Sequence, residues 1–80
     1  MDKETTQVIF RMFKGEVIAL MPTILADLDG NVLSYMTIGQ HGAATFDLVM
    51  AISLPASLSE SKPLFDELTS IGYNLDVQTA

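Results

Sequence analysis

The chain has 80 residues, of which 49% are apolar and 18% are charged. This length accommodates one domain, and a chain of this size buries only about 60% of its unfolded surface on folding. Ten acidic residues against four basic ones give a net charge of −6, which argues against direct binding to nucleic acids or to anionic membranes. Because cysteine is absent, disulfides, thiolate nucleophiles and zinc–thiolate sites are excluded.

The low charged fraction indicates that apolar surface stays exposed, and on a small protein such surface often marks an interface. The second half of the chain is the more one-sided part, with Asp47, Glu60, Asp66, Glu67 and Asp76 opposing only Lys62. A basic protein surface, such as the nucleic-acid channel of another protein, is therefore the expected partner. The alternative is that the acidic charge serves solubility alone.

The polar residues 1–6 are expected to form a lead-in rather than a signal peptide. Residues 7–80 are expected to form a single α+β domain. Because no apolar run approaches the roughly 20 residues that a membrane span needs, the expected location is cytoplasmic.

An antiparallel hairpin is predicted for the first part of the chain. Residues 8–13 alternate between two faces and are rich in β-branched and aromatic types, which is typical of a strand. Lys14-Gly15 is the predicted turn and Glu16–Met21 the second strand, because so short a connection leaves no room for a crossover. Pro22 is expected to end that strand by removing a ladder donor.

The middle of the chain is predicted in less regular pieces. A polar turn at Asp27–Asn31 leads into a third strand over Val32–Ile38, whose inward face is either the even or the odd set of positions. Gly39 and Gly42 indicate a bend. Residues 43–54 could be helix or strand, and one helical turn followed by a strand is the favoured interpretation.

The main helix is predicted over residues 58–71. Ser57 can cap its start, and Glu60 three positions later completes a capping box. A core-facing stripe and a terminating glycine follow, at Leu64, Leu68, Ile71 and Gly72. Residues 73–77 then alternate as a final strand. The predicted fold class is α+β, with a small, mainly antiparallel sheet of about four or five strands and one main helix packed on one face.

The segment Asp27-x-Asp29-Gly30-Asn31 resembles the start of a calcium loop. Such a loop needs a glycine at its sixth position and a glutamate at its twelfth, and this chain has Val32 and Ile38 there. A polar turn is therefore the preferred interpretation. With a single histidine and scattered acids, no metal site is expected, and no cofactor either.

His41 is the only histidine of the chain. General-base catalysis would need a proton donor within hydrogen-bond reach and an orienting carboxylate, and the spacing of Ser34 and Asp47 does not point to His41. Gln40 and His41 could instead bond loop backbone or contact a partner. No catalytic residue is therefore assigned, and the structural and partner-contact interpretations both stay open.

Several segments carry a resemblance to a known family. They are Val8-Ile9-Phe10-Arg11, Glu16 to Pro22, Ser34-Tyr35, Ile38-Gly39-Gln40-His41-Gly42, Pro55-Ala56 and Ile71-Gly72-Tyr73. In these segments the chain resembles a family of short, uncharacterised proteins carried by phages, plasmids and other mobile elements of bacteria. The resemblance implies a bacterial host, and it makes Gln40, His41 and Tyr73 the best candidates for a shared contact.

Small acidic proteins of mobile elements frequently inhibit host defence. The leading hypothesis is a non-enzymatic, anti-CRISPR-like inhibitor, located in the cytoplasm of a bacterial host, that docks on a defence complex through an acidic and apolar surface. The candidate contact residues are Gln40, His41, Asp47, Glu60, Asp66, Glu67, Tyr73 and Asp76. The alternatives are a homo-oligomeric accessory module, such as a homodimer, and a small enzyme that uses His41.

Overall fold

A computed structural model describes residues 5–36 and 40–78 of the chain. Within them the elements are, in chain order, strands β1 (Thr6–Phe13), β2 (Glu16–Leu25), β3 (Val32–Met36) and β4 (Gln40–Ala44), helix α1 (Phe46–Ile52), strand β5 (Leu54–Pro55), helix α2 (Leu58–Ser70) and strand β6 (Leu75–Val77). The predicted α+β class, with a mainly antiparallel sheet and one main helix, is confirmed.

The described strands form one sheet in the order β4-β3-β2-β1-β5, and β6 also pairs with β1. Neighbouring strands are antiparallel except for β1 and β6, which are parallel. β5 lies opposite Arg11 and Met12 of β1, whereas β6 lies opposite Thr6, Gln7 and Val8. These two short strands therefore share one edge of β1, and β1 is a central strand with β2 on its other side.

Both faces of the sheet carry a helix. Successive side chains of β1 point to opposite faces, so that Val8 packs with Leu64 and Leu68 of α2 while Ile9 packs with Val49 of α1. The choice between the even and odd positions of the third strand was open for this reason: each set meets its own hydrophobic cluster. The main helix covers one face, as predicted, and the second helix covers part of the other.

The hairpin of β1 and β2 turns at Lys14-Gly15, as predicted, with Phe13 opposite Glu16. Lys14 has φ 52° and Gly15 has φ 80°, and positive φ at both positions is what the tight turn between twisted strands requires. The predicted end of the second strand at Pro22 is wrong, because β2 continues to Leu25. The pairing of β2 with β3 shifts register between Met21 and Leu25, and such irregularities tolerate a proline.

The predicted lengths of the helix and the strand within residues 43–54 are wrong. β4 extends to Ala44, α1 is a full helix of seven residues rather than one turn, and only Leu54–Pro55 follows as strand. The helical form buries Val49 against the sheet, which a short apolar run does not reveal. Gly42 lies inside β4 and is not part of a bend.

The ends of three predicted segments also differ. The final strand, β6, covers only Leu75–Val77 rather than residues 73–77. β1 begins at Thr6, inside the predicted lead-in, because the Thr6 backbone N–H donates to the Asn74 carbonyl oxygen at 2.8 Å beside β6. β3 ends at Met36. The rest of the predicted third strand and Gly39 lie outside the described residues.

α2 begins and ends as its capping signals predict. The Ser57 hydroxyl accepts from the Glu60 backbone N–H at 3.1 Å, and the Glu60 carboxylate accepts from the Ser57 N–H at 2.8 Å. Gly72, with φ 116°, follows the last turn. The prediction that Ile71 belongs to the core stripe is wrong, since its side chain is 52% exposed. Ile71 is the C-cap residue and leaves the helical path there.

Arg11 is a buried cation that joins β1 to the end of α1. Its Nε donates to the Ser53 hydroxyl at 2.9 Å, and its Nη2 donates to the carbonyl oxygens of Ser53 at 2.7 Å and Met50 at 3.2 Å. The last turn of α1 contains no basic residue. Arg11, which lies in β1, therefore supplies the positive charge and the hydrogen-bond donors that stabilise the C-terminus of a helix.

We expect an Arg11→Met substitution to lower the free energy of unfolding by roughly 2–3 kcal/mol, because it keeps the apolar stem but removes donors to buried carbonyl oxygens. Urea unfolding followed by circular dichroism measures the change. The control is Lys14→Met, which removes an equal charge from an exposed turn and should stay within about 0.5 kcal/mol of wild type. Equal losses in the two variants would contradict the role assigned to Arg11.

Candidate partner-binding site

Three of the predicted contact residues, His41, Glu67 and Tyr73, meet on the face of the sheet that α2 covers. His41 lies in β4 directly opposite Tyr35 of β3, so both side chains project from the same face. Glu67 comes from the last turn of α2, and Tyr73 follows the glycine that ends the helix. Tyr35, His41, Glu67 and Tyr73 are called the tyrosine–histidine cluster below.

The cluster is tied together by two side-chain hydrogen bonds and by ring packing. His41 Nε2 and the Tyr73 hydroxyl are hydrogen-bonded at 2.9 Å, and the Tyr35 hydroxyl donates to Glu67 Oε2. The Tyr35 and His41 rings meet edge to face with centroids 4.7 Å apart, and the His41 and Tyr73 centroids are 6.0 Å apart. Each of the two hydrogen bonds joins residues that are 32 positions apart in the sequence.

The electrostatics of the cluster favour a protonated Tyr35. The hydrogen bond to Glu67 raises the pKa of Tyr35 above its ordinary value, and burial and the charge of the Glu67 carboxylate act in the same direction. A phenol whose pKa is raised is a neutral donor. Tyr35 is therefore the donor and Glu67 Oε2 the acceptor of their hydrogen bond.

The other predicted contact residues lie apart from the cluster. Glu60 is engaged in the cap of α2, and Asp66 pairs with Lys62 at 3.1 Å on the exposed side of that helix. Asp47 lies in the first turn of α1 on the opposite face of the sheet, and Asp76 lies in β6 at the edge. Gln40 is in β4 opposite Met36.

Tyr35 is the cluster residue that was missing from the predicted contacts. Its only signal was its place in the Ser34-Tyr35 segment of the family resemblance. Tyr35 is 4% exposed, so it acts as the buried support on which His41 packs.

A second surface lies on the opposite face of the sheet. Leu48, Ala51 and Ile52 have the i, i+3, i+4 spacing of one helix face and are exposed, with Leu48 and Ile52 each 56% exposed. A groove of about 340 Å³ runs beside α1. His41 at the sheet edge contributes to its lining, and the other lining residues include Phe13, Ile18, Ser34, Met36, Gly42 and Leu48. These residues form the α1 surface, on which α1 contributes a single charge, Asp47.

The predicted polar turn before β3 is confirmed, and the Asp27 carboxylate forms its hydrogen bonds within the turn. Asp27 Oδ1 accepts from the backbone N–H groups of Asp29 at 3.0 Å and Asn31 at 3.2 Å, and Oδ2 accepts from the Asn31 amide at 2.8 Å. Hydrogen bonds, the one from the Asn31 side chain above all, lower the pKa of Asp27. This is the behaviour of a turn that closes on itself.

Across residues 5–36 and 40–78, no three histidine, cysteine, aspartate or glutamate side chains lie close enough together to hold a metal ion. In the same part of the chain, neither helix is long and apolar enough to span a membrane. Comparison with protein-family models, with curated proteins and with solved structures finds no significant match.

We expect Tyr35 to make stability depend on pH in the alkaline range. A raised folded pKa means that the contribution of protonated Tyr35 is complete below about pH 10 and disappears as the pH rises through the folded value. Wild type should therefore lose more stability than Tyr35→Phe between about pH 8 and about pH 11. Urea unfolding at both pH values tests this, and equal losses in the two proteins would contradict it.

Proposed function

We propose that the protein is a non-enzymatic binding protein that docks on a partner protein through the α1 surface. The observation that carries this proposal is the pair of half-exposed side chains, Leu48 and Ile52, beside an apolar groove. Burying a leucine or isoleucine fully is worth about 1.5–3 kcal/mol. Exposed apolar side chains beside a groove are therefore effective anchors for a partner.

The proposed partner is a nucleic-acid-binding protein of a bacterial defence complex, and the proposed effect is anti-CRISPR-like inhibition. The net charge of −6 supports a basic partner surface, since opposite charges speed and orient association. The resemblance to proteins of phages and plasmids supports the bacterial setting. Occupying a channel that normally holds a nucleic acid would block the complex without any chemical step.

We expect the double substitution Leu48→Ser with Ile52→Ser to weaken docking by at least about tenfold, because it removes both anchors. Titration of purified CRISPR effector complexes with fluorescently labelled protein measures the affinity. The control is Leu28→Ser, which changes a fully exposed leucine in the turn before β3. Failure of wild type to bind any complex of the panel at low salt, or equal weakening by the control, would contradict the proposal.

A homodimeric accessory module is the second candidate, and β4 favours it. This strand is an edge of the sheet and pairs with β3, and its five residues include no proline and no acidic or basic residue other than His41. Exposed edge strands are usually protected by such residues, so β4 is suited to pairing with a second copy.

Light scattering at high protein concentration separates the two candidates. A homodimer should have twice the chain mass of 8.7 kDa, and Ala43→Lys on β4 should restore the monomer because it places a charge on the pairing edge. A monomeric mass for wild type would eliminate the homodimer.

A further inference from the structure

Glu67 is the one acidic residue of the tyrosine–histidine cluster and is half-buried in it. Its Oε2 accepts from the neutral Tyr35 hydroxyl. The basic residues that the structure describes are engaged elsewhere: Arg11 with the end of α1, Lys62 with Asp66, and Lys14 over the Phe13 ring. The Glu67 carboxylate is thus hydrogen-bonded by a neutral hydroxyl, and none of the described basic side chains pairs with it.

The position of Glu67 on α2 adds to the negative potential. The last turn of a helix carries a partial negative charge on its carbonyl oxygens, and a basic side chain is the usual complement there. The last turn of α2 contains no basic residue and contains Glu67 instead. Two sources of negative potential therefore coincide where a cation would be stabilised.

The aromatic part of the cluster suits a flat cation. His41 is exposed and Tyr73 is half-buried. Their ring centroids are 6.0 Å apart with the ring planes tilted by 40°, and a hydrogen bond joins the two side chains. Aromatic faces attract cations, and a guanidinium both stacks on rings and donates to a carboxylate in the same plane. An ammonium group, which is compact and strongly hydrated, uses only the charge.

We propose that the tyrosine–histidine cluster binds an arginine side chain of the partner protein, with the guanidinium stacked on the Tyr73 and His41 rings and donating to the Glu67 carboxylate. This inference rests on the proposed function, because it names the partner group that a second contact of the same protein takes. Arginine is the expected group, since surfaces that bind nucleic acids present it to phosphates.

The test uses Nα-acetyl-arginine amide as the probe, titrated into isotope-labelled protein while the ring and amide NMR signals of His41 and Tyr73 are followed. We expect a saturable shift of these signals. The matched neutral probe is Nα-acetyl-citrulline amide, which has nearly the same shape and no charge, and it should produce no saturable shift. Equal shifts with both probes, or no saturable shift with the arginine probe, would overturn the proposal.

Substitutions locate the binding. Glu67→Gln keeps an acceptor for Tyr35 and should weaken the arginine probe by about tenfold. Asp66→Asn removes the same charge from the neighbouring position, which faces Lys62, and should leave the affinity within about twofold of wild type. Tyr73→Leu, which leaves the carboxylate in place, should also weaken binding. Equal effects of the Asp66 and Glu67 substitutions would overturn the proposal, because they would indicate a diffuse attraction.

The two proposals can fail separately. The Leu48→Ser, Ile52→Ser double variant changes the opposite face of the sheet, so it should bind the arginine probe as wild type does. If the wild-type protein binds the arginine probe but docks on no defence complex, the proposed partner is wrong and the arginine site stands. Retained docking with no probe binding refutes the arginine site alone.

Discussion

Strand β1 is the element on which the rest of the structure depends. It pairs with β2 along one edge and with β5 and β6 along the other, and it contributes Val8 to one hydrophobic cluster and Ile9 to the other. In an 80-residue chain, little surface is available for burial, so one strand that is buried on both faces and paired on both edges is an efficient centre. Arg11 extends this role by holding the end of α1 on the sheet.

The arrangement of β1 also determines where the two proposed contact surfaces lie. α2 bridges β5 and β6, which both pair with β1, and its last turn brings Glu67 to the side chain of Tyr35. α1 packs on the other face through Val49, and its side chains Leu48 and Ile52 stay exposed. The sheet thus places the tyrosine–histidine cluster beside α2 on one face and Leu48 and Ile52 of α1 on the other.

Local rules were sufficient where neighbouring residues determine the structure. The hairpin turn at Lys14-Gly15, the capping box of Ser57 and Glu60, and the glycine stop of α2 depend on residues within a few positions of each other, and all were predictable. The continuation of β2 past Pro22 was not, because it depends on how β3 pairs across the irregularity. The length of α1 depends on burial of a side chain that the short apolar run does not identify.

The candidate site was predictable only in part, for a related reason. His41 and Tyr73 stood out as individual residues, but the hydrogen bond between them joins positions 32 apart, and Tyr35 and Glu67 meet only because α2 lies over β3. The cap of Arg11 on α1 is likewise a contact between distant segments. Such contacts follow from topology, and the pattern of a single strand or helix does not contain them.

The face bearing α1 is the one proposed to dock on a partner protein. Hydrogen–deuterium exchange with and without a bound bacterial defence complex tests it most directly, because it reports which backbone segments become protected. We expect added protection over residues 46–54 and an unchanged exchange rate in the turn at residues 26–31. Protection that appears in that turn and leaves residues 46–54 unchanged would contradict it.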